Sequence, residues 1–426
     1  MNPPATLSDW LEYIERQHPA TIAMGLDRVA AVRDALGLRP DFPLITVGGT
    51  NGKGSTCRIL ESILRQAGYR AGTYTSPHLL RYNERVRVGG REAADDELAR
   101  AFAAVESARA GLGLPLTYFE FGTLAALWLF VEARVDAAVL EIGLGGRLDA
   151  VNAFDPDVSV LVSVGLDHME YLGDTRDSIG REKAHIFRPG RTAVCADADP
   201  PATVLEHAAT IDAPLLLIGR DFDYEVEAQQ WRYRGPRAMR HGLPPPALRG
   251  IAQLANASAA ITALDLLHER LPVSAGALRS GLVHVENPGR FQVLPGRPTV
   301  VLDVAHNPHA AEVLVHNLAQ MTGHARTLAV FSMLADKDVA GVVRILRGHI
   351  DHWYVAPLPG PRGSAVEPLL RTLHEAGVSA PVEVCADIEN ACASANQAAG
   401  GGDRIVVFGS FLTVAAAMTA LRPSGK

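Results

Sequence analysis

Apolar and polar positions along this chain switch between two periods. "PLITVGGT" (43–50) is a short apolar run closed by glycines, which predicts a buried strand. "GKGSTCRILESILRQAGY" (52–69) carries apolar residues at helical spacing until Gly68 stops it. "YRAGTYTSPHL" (69–79) predicts a second strand that leaves into a loop at Ser76. Helices are predicted for "ELARAFAAVESARAGLG" (97–113) and "FEFGTLAALWLFVEARV" (119–135). "DAAVLEIGLGG" (136–146) and "DVSVLVSVGLDH" (157–168) predict buried strands, each ending in polar residues. Such alternation implies a mostly parallel sheet with helices on both faces. Ligands collect beyond the carboxyl ends of such strands, where Thr50, Ser76, Glu141 and Asp167–His168 fall.

The pattern changes in the middle. "DFDYEVEAQQWRYRGPRAMRHGLPPPALRG" (221–250) lacks helical period and predicts antiparallel strands plus a loop, and "IAQLANASAAITALDLLHER" (251–270) restores a helix. "VENPGRFQVLPGRPT" (285–299) is rich in Gly and Pro and reads as a linker. Strand–helix alternation then resumes to the end, through "TVVLDVAHNPHAAEVLVHNLAQ", "RTLAVFSML", "HWYVAPL", "APVEVCAD" and "DRIVVFGSFLTVAAAM". The expected fold is α/β: a P-loop-type, mostly parallel sheet over residues 1–296, then a smaller Rossmann-like α/β domain over 297–426. A length of 426 residues suits two cores.

Composition narrows the class. With 48% hydrophobic and 20% charged residues the chain reads as an ordinary globular protein. A net charge of −7 argues against nonspecific nucleic-acid binding. No apolar run is long enough to span a bilayer, and the mixed polar start does not read as a signal peptide. Four cysteines without close metal-ligand spacing suit a reducing cytoplasm and read as buried, inert thiols.

Candidate chemistry begins with "ITVGGTNGKGSTC" (45–57). A Gly-rich turn alone is more readily a tight strand–helix connection whose glycines serve only backbone geometry. Here it joins an apolar strand to an amphipathic helix, so backbone N–H groups converge at a positive helix end. Lys53 sits in the loop, and Thr50, Asn51, Ser55 and Thr56 add donors, which favours nucleotide phosphates. Gly54 separates Lys53 from Ser55, whereas an ordinary phosphate loop puts its metal-binding hydroxyl directly after the lysine. Metal ligands are then wanted elsewhere, and Glu141, a carboxylate at a strand end followed by glycines, suits a hard cation better than a capping role. For His168 and Lys183, site and ordinary structural roles are evenly matched on the residues alone.

"GGTNGKGST", "TSPHLLRYNERVRV", "YFEFGTLAAL", "LEIGLGGRLDAVN", "GLDHMEYLGDTRDSIGREKAHIFR", "ENPGRFQ" and "DVAHNPHA" together resemble the bacterial dihydrofolate synthase/folylpolyglutamate synthase family of the Mur ligase superfamily. The motifs run in family order from residue 23 to residue 410. The resemblance implies a cytoplasmic, monomeric ligase that activates a carboxylate with ATP and joins it to L-glutamate. Its acids would be dihydropteroate and reduced folates, with no nucleic-acid or membrane partner. Its cofactors would be ATP and two Mg²⁺, with a place for K⁺ or another monovalent cation. It puts ATP and pterin in the first domain and the glutamate-ligase role in the second.

By the same resemblance Gly52, Lys53, Gly54 and Ser55 cradle the triphosphate, and Asn256, Arg290 and Asp303 also contact ATP. Ser76, Glu141, His168 and Lys183, the last as a carbamate, hold Mg²⁺. Imidazole is an unusual Mg²⁺ ligand, so His168 comes from the resemblance and not from ligand chemistry. His306 and Ser410 would receive the incoming glutamate. The pterin would lie on Ala23, Met24, Gly25 and Leu26, on Tyr118, Phe119, Glu120 and Phe121, and on Leu148, Asp149 and Ala150. Rings stack on a flat heterocycle and a carboxylate accepts from its N–H groups, although the three aromatics also suit a plain core. The rival readings are a folylpolyglutamate synthase lacking the first activity, a peptidoglycan Mur ligase, a P-loop phosphotransferase or switch, and a catalytically dead binding protein.

Overall fold

The computed structural model describes residues 4–20, 22–360 and 362–421. It divides into two compact units: one of residues 1–165, 169–247 and 254–285, the other of 166–168, 248–253 and 286–426.

The first unit is built on eight strands. They are β1 (Leu44–Gly48), β2 (Ala71–Tyr74), β3 (Val86–Val88), β4 (Arg91–Glu92), β5 (Ala137–Glu141), β6 (Val158–Leu161), β7 (Ala193–Cys195) and β8 (Leu215–Leu217). Their order is β4-β3-β2-β5-β1-β6-β7-β8. All neighbours are parallel except where β3 joins β2 and β4. β1 lies in the middle with every residue buried, which is why its sequence is a continuous apolar run and not an alternating one. The predicted helices form over Lys53–Gln66, Asp95–Leu112 and Tyr118–Glu132. Close packing explains several small residues: a Cβ on Gly72 would meet the Phe130 ring at 2.7 Å, and one on Gly281 would meet Ile63 at 2.6 Å. The non-periodic middle segment is a three-stranded antiparallel sheet of β9 (Asp223–Glu227), β10 (Gln230–Arg234) and β11 (Met239–Leu243). Trp231 and Tyr233 bury its inner face, and Tyr233 pairs its hydroxyl with Thr262 at 2.8 Å.

The second unit carries β12 (Gln292–Leu294), β13 (Thr299–Asp303), β14 (Thr327–Phe331), β15 (His352–Val355), β16 (Val382–Val384) and β17 (Arg404–Phe408) in the order β12-β13-β17-β14-β15-β16. Only the β12–β13 pair is antiparallel. The Gly- and Pro-rich stretch read as a linker thus supplies a strand, because its Phe291-Gln-Val-Leu core has the apolar content to pair. Phe331, Trp353 and Phe408 interlock in the core of this unit.

All four cysteines are buried and outside any disulfide, and burial pushes the thiols of Cys195 and Cys392 up to about 12. Among the described residues no helix is long and apolar enough to cross a membrane.

Candidate active site

The phosphate-loop candidate is shaped by its glycines. Gly49 and Gly52 hold φ of +147° and +86°, in the range that glycine adopts without strain. A Cβ on Gly52 would sit 2.7 Å from both Oδ1 of Asn256 and Cγ1 of Val162. The turn therefore fits phosphate only as bare backbone, at the N-terminus of the helix that starts at Lys53. Asn256 is buried against this loop, although it lies some 200 residues away in sequence. Thr50 fixes the loop to the end of β6, its Oγ1 donating to the Gly165 carbonyl at 3.0 Å and accepting from the Gly165 N–H at 2.9 Å.

Two lysines converge here. Lys53 Nζ curls back to donate to the carbonyls of Gly49 and Thr50 at 3.0 and 3.1 Å. Lys183, buried in the helix Arg176–Ala184, donates from Nζ to the same Gly49 oxygen at 3.1 Å. Glu141 ends β5 directly beside Val47 of β1 and is buried. Its Oε2 accepts the N–H of Ser76 at 3.1 Å, which brings the two strand ends together. Ser76 and Glu141 are thus joined at the ends of β2 and β5, and Lys183 reaches the loop from its own helix. A hydroxyl, a carboxylate and a carbamate would make an oxygen-rich set suited to a hard cation. Among the described residues no three His, Cys, Asp or Glu side chains gather as a metal cluster. A site here therefore depends on groups outside that usual set.

The pterin candidates also lie together in the first unit. The Gly25 N–H reaches the Leu148 carbonyl at 3.5 Å, so the segments 23–26 and 148–150 are neighbours. The Phe119 ring covers Gly143, where a Cβ would come within 2.5 Å of it, and Gly145 leaves room for Leu172 and Met24. Asp149 folds this loop by accepting from the N–H groups of Gly143, Leu144 and Val151 at 3.0, 2.8 and 2.9 Å. Burial pushes its carboxyl up to about 7 against those three donors. Phe121 is wholly buried beside Phe102, whereas Tyr118 and Phe119 are half-buried. Glu120 is buried with both oxygens already accepting from the protein. Oε2 takes the Thr117 N–H at 2.7 Å in a capping box, and Oε1 takes Arg28 at 2.7 Å. Arg28 also donates to the Ala23 carbonyl at 2.8 Å, so Glu120 holds the 23–26 segment through Arg28.

The remaining candidates belong to the second unit. Arg290 lies over the Phe411 ring at 4.6 Å. Asp303 accepts from the N–H groups of Phe291 and Ala305 at 2.9 and 2.8 Å, and burial raises its carboxyl. Ser410 is buried as the N-cap of the helix Phe411–Ala420, its hydroxyl accepting from the Thr413 N–H at 3.0 Å. His168 sits at φ +52°, unusual for a non-glycine residue. Beside it, Asp167 pairs with Lys337 at 2.7 Å, with the Asn307 amide at 3.0 Å and with His306 Nε2 at 3.5 Å. Burial pushes the Asp167 carboxyl up, but the His306 hydrogen bond and the charges of Lys337 and His168 outweigh it and hold it well below the usual range.

Sequence reasoning missed Lys337. A signal was there: the chain holds only four lysines, Lys53, Lys183, Lys337 and Lys426, among 40 basic residues. Where arginine serves nearly everywhere, a lysine marks a position that wants a compact point charge. It missed Arg28 because nothing in a linear pattern says which carboxylate an arginine meets.

An α/β sheet with a glycine-shaped strand–helix turn, a buried strand-end carboxylate and a second α/β unit suits an ATP-dependent ligase of the Mur type. The Mur ligase middle domain matches residues 47–264, and the Mur ligase glutamate ligase domain matches residues 289–411. The dihydrofolate synthase/folylpolyglutamate synthase of Escherichia coli (strain K12) is 44% identical over 99% of this chain and 97% of its own length. The enzyme of that name from Haemophilus influenzae is 38% identical over 96% of each chain. The solved structure of E. coli FolC in complex with DHPP and ADP has a TM-score of 0.93, 44% identity and coverage of 99% of both chains. The chain belongs to the dihydrofolate synthase/folylpolyglutamate synthase family of Mur ligases, and it is a ligase.

Proposed function

We propose that the protein adds L-glutamate to dihydropteroate, giving dihydrofolate, and to reduced folates, giving folylpolyglutamates, with ATP and Mg²⁺. The observation that carries this reading is the bare-backbone loop with Lys53 and Lys183 converging on Gly49, in a chain that matches this family along nearly its whole length. Related solved structures are described as holding DHPP with ADP in one case, and Mn, AMPPNP and L-glutamate in another.

A free carboxylate is a poor electrophile. Its oxygen attacks the γ-phosphorus of ATP, the bond to the bridging oxygen breaks, and ADP leaves behind an acyl phosphate. The glutamate amine then attacks the acyl carbon, inorganic phosphate leaves, and a proton is released. Little covalent work falls to the protein, so positioning and cationic groups do most of the catalysis. Gly52, Lys53, Gly54 and Ser55 hold the phosphates, with Lys53 placed to neutralise charge that builds on them. Asn256, Arg290 and Asp303 complete the nucleotide site. Ser76, Glu141, His168 and carbamylated Lys183 would hold Mg²⁺, which when bound neutralises phosphate charge. Two ammonium groups on one carbonyl oxygen repel, and a carbamate on Lys183 turns that repulsion into attraction toward Lys53.

The pterin rests on the segments 23–26, 118–121 and 148–150, with Phe119 as the stacking ring. His306 and Ser410 receive the incoming glutamate. We assign the ATP and pterin roles to residues 1–296 and the glutamate-ligase role to 297–426. We also infer a monomer in the cytoplasm, acting on small molecules and on neither nucleic acid nor membrane. Net charge of −7 and four reduced cysteines support that setting.

The test is an ADP-release assay with dihydropteroate and then with a reduced folate, each with and without L-glutamate. Release that needs glutamate with both acids is expected. Glutamate-independent release would favour a phosphotransferase, and release with the folate alone a folylpolyglutamate synthase.

A further inference from the structure

Arg85 is half-buried and is held by groups other than carboxylates. Its Nε donates to Nδ1 of His78 at 2.8 Å, and its guanidinium lies 5.4 Å from the Tyr82 ring centroid and 5.5 Å from that of Tyr118. Among the described residues no carboxylate pairs with it, whereas Arg28, Arg58, Arg87, Arg109 and Arg240 each meet one. Rings and a histidine nitrogen hold a guanidinium in place without cancelling its charge. The outer Nη fork keeps the geometry that matches a carboxylate bidentately.

Its place in the fold gives that charge a use. The Arg85 carbonyl accepts the N–H of Thr75 at 2.9 Å, one residue before Ser76, whose N–H is bound by Glu141. Tyr118, on the other side, precedes the stacking ring Phe119. Arg85 therefore lies between the metal-ligand candidates and the pterin candidates, and Arg85, His78 and Tyr118 are all partly open to solvent. A substrate spanning those two regions passes this cation.

The two acids of the proposed reaction differ in charge. Dihydropteroate has one carboxylate, and that one reacts. A folyl substrate ends in glutamate, so it brings a second, spectator carboxylate beside the reacting one. We propose that Arg85 is a specificity-determining residue that binds the spectator α-carboxylate of folyl substrates and is dispensable for dihydropteroate. This rests on the reading of the site given above.

The test is steady-state ADP release by the full chain, wild type and Arg85→Met, at saturating ATP and L-glutamate, against dihydropteroate and against tetrahydrofolate. Loss of a charge-assisted bidentate contact should raise KM for tetrahydrofolate roughly 10- to 100-fold, while KM for dihydropteroate stays within about twofold. Arg85→Lys should fall between. A tetrahydrofolate analogue with an α-carboxamide should bind wild type and Arg85→Met alike, because the partner charge is already gone. Equal losses with both acids, or no loss with either, overturn the assignment. The dihydropteroate arm shows that the variant is folded. Should the wild type release ADP with neither acid, the proposed function fails and not the role of Arg85 within it.

Discussion

Lys53 and Lys183 donate to one and the same carbonyl oxygen, that of Gly49, at 3.0 and 3.1 Å. Residues 130 positions apart thus share a single acceptor at the head of the phosphate loop. A carbamate at Lys183 would resolve the clash of charge and would offer a cation two oxygens that share one negative charge. Lys183→Ala should keep the fold and most ATP affinity but lower ligation on the order of 10²–10³-fold. Acetate should restore part of it by filling the vacated oxygen positions. A carbonyl resonance from ¹³CO₂ bound to active enzyme is expected, and its absence in fully active protein would end the carbamate idea.

Lys53 has a different task. Removing one group that stabilises developing phosphate charge costs about 10²–10³-fold in turnover, and Lys53→Ala should fall in that range. Near-normal turnover in a folded variant would show that the loop does not act on the phosphates.

The loop itself was readable in the sequence because strand, glycines, lysine and helix follow one another locally. So were β1, the helices after it and the antiparallel insert, whose hydrophobic periods are local properties. The strand Gln292–Leu294 was hidden, since Gly and Pro around it read as a linker and its pairing to β13 is a tertiary fact. The site partners that come from elsewhere in the chain were hidden for the same reason. Arg28 reaches Glu120 and Lys337 reaches Asp167, each over a long separation that no spacing rule encodes, and Asn256, which reaches Gly52, was named only through the family resemblance.

Gly52→Ala should damage both stability and nucleotide binding. Its φ of +86° strains any residue with a Cβ, and that Cβ would lie 2.7 Å from Asn256 and Val162. A non-glycine residue held there costs about 1–3 kcal/mol before the clash is counted. A lower urea midpoint together with weaker ADP binding in titration calorimetry is expected, and an unchanged midpoint would mean the loop relaxes freely.

Lys337 should resist conservative replacement. Its Nζ lies 2.7 Å from Asp167 Oδ1 and 3.3 Å from His168 Nε2, in a side chain only 8% exposed. The larger planar guanidinium of Lys337→Arg does not fit where a point charge sits. Both Lys337→Arg and Lys337→Met should therefore lose ligation, roughly 10-fold or more. Full activity in Lys337→Arg would show that charge alone suffices.

Asp149 should make part of the stability run against the usual acid trend. Burial raises its carboxyl from 3.8 to about 7 in the folded protein, while the unfolded chain titrates near the ordinary value. Between those limits the folded state binds more protons than the unfolded state, so stability from this group falls as pH rises. Below about pH 4 both states are protonated and the group contributes nothing; above about pH 7 its penalty is constant. An ion-paired carboxylate with a depressed pKa would do the reverse, gaining stability as pH rises. Asp149→Asn cannot ionise, so it should lose this dependence while keeping an oxygen for the loop N–H groups. Urea midpoints of the two proteins from about pH 4 to about pH 8 isolate the effect, because every other titrating group cancels in the difference. Wild type should lose ground to Asp149→Asn steadily across that interval and then run parallel to it. A difference that is flat with pH would mean the three backbone donors hold the carboxylate ionised throughout, with hydrogen bonding winning over burial.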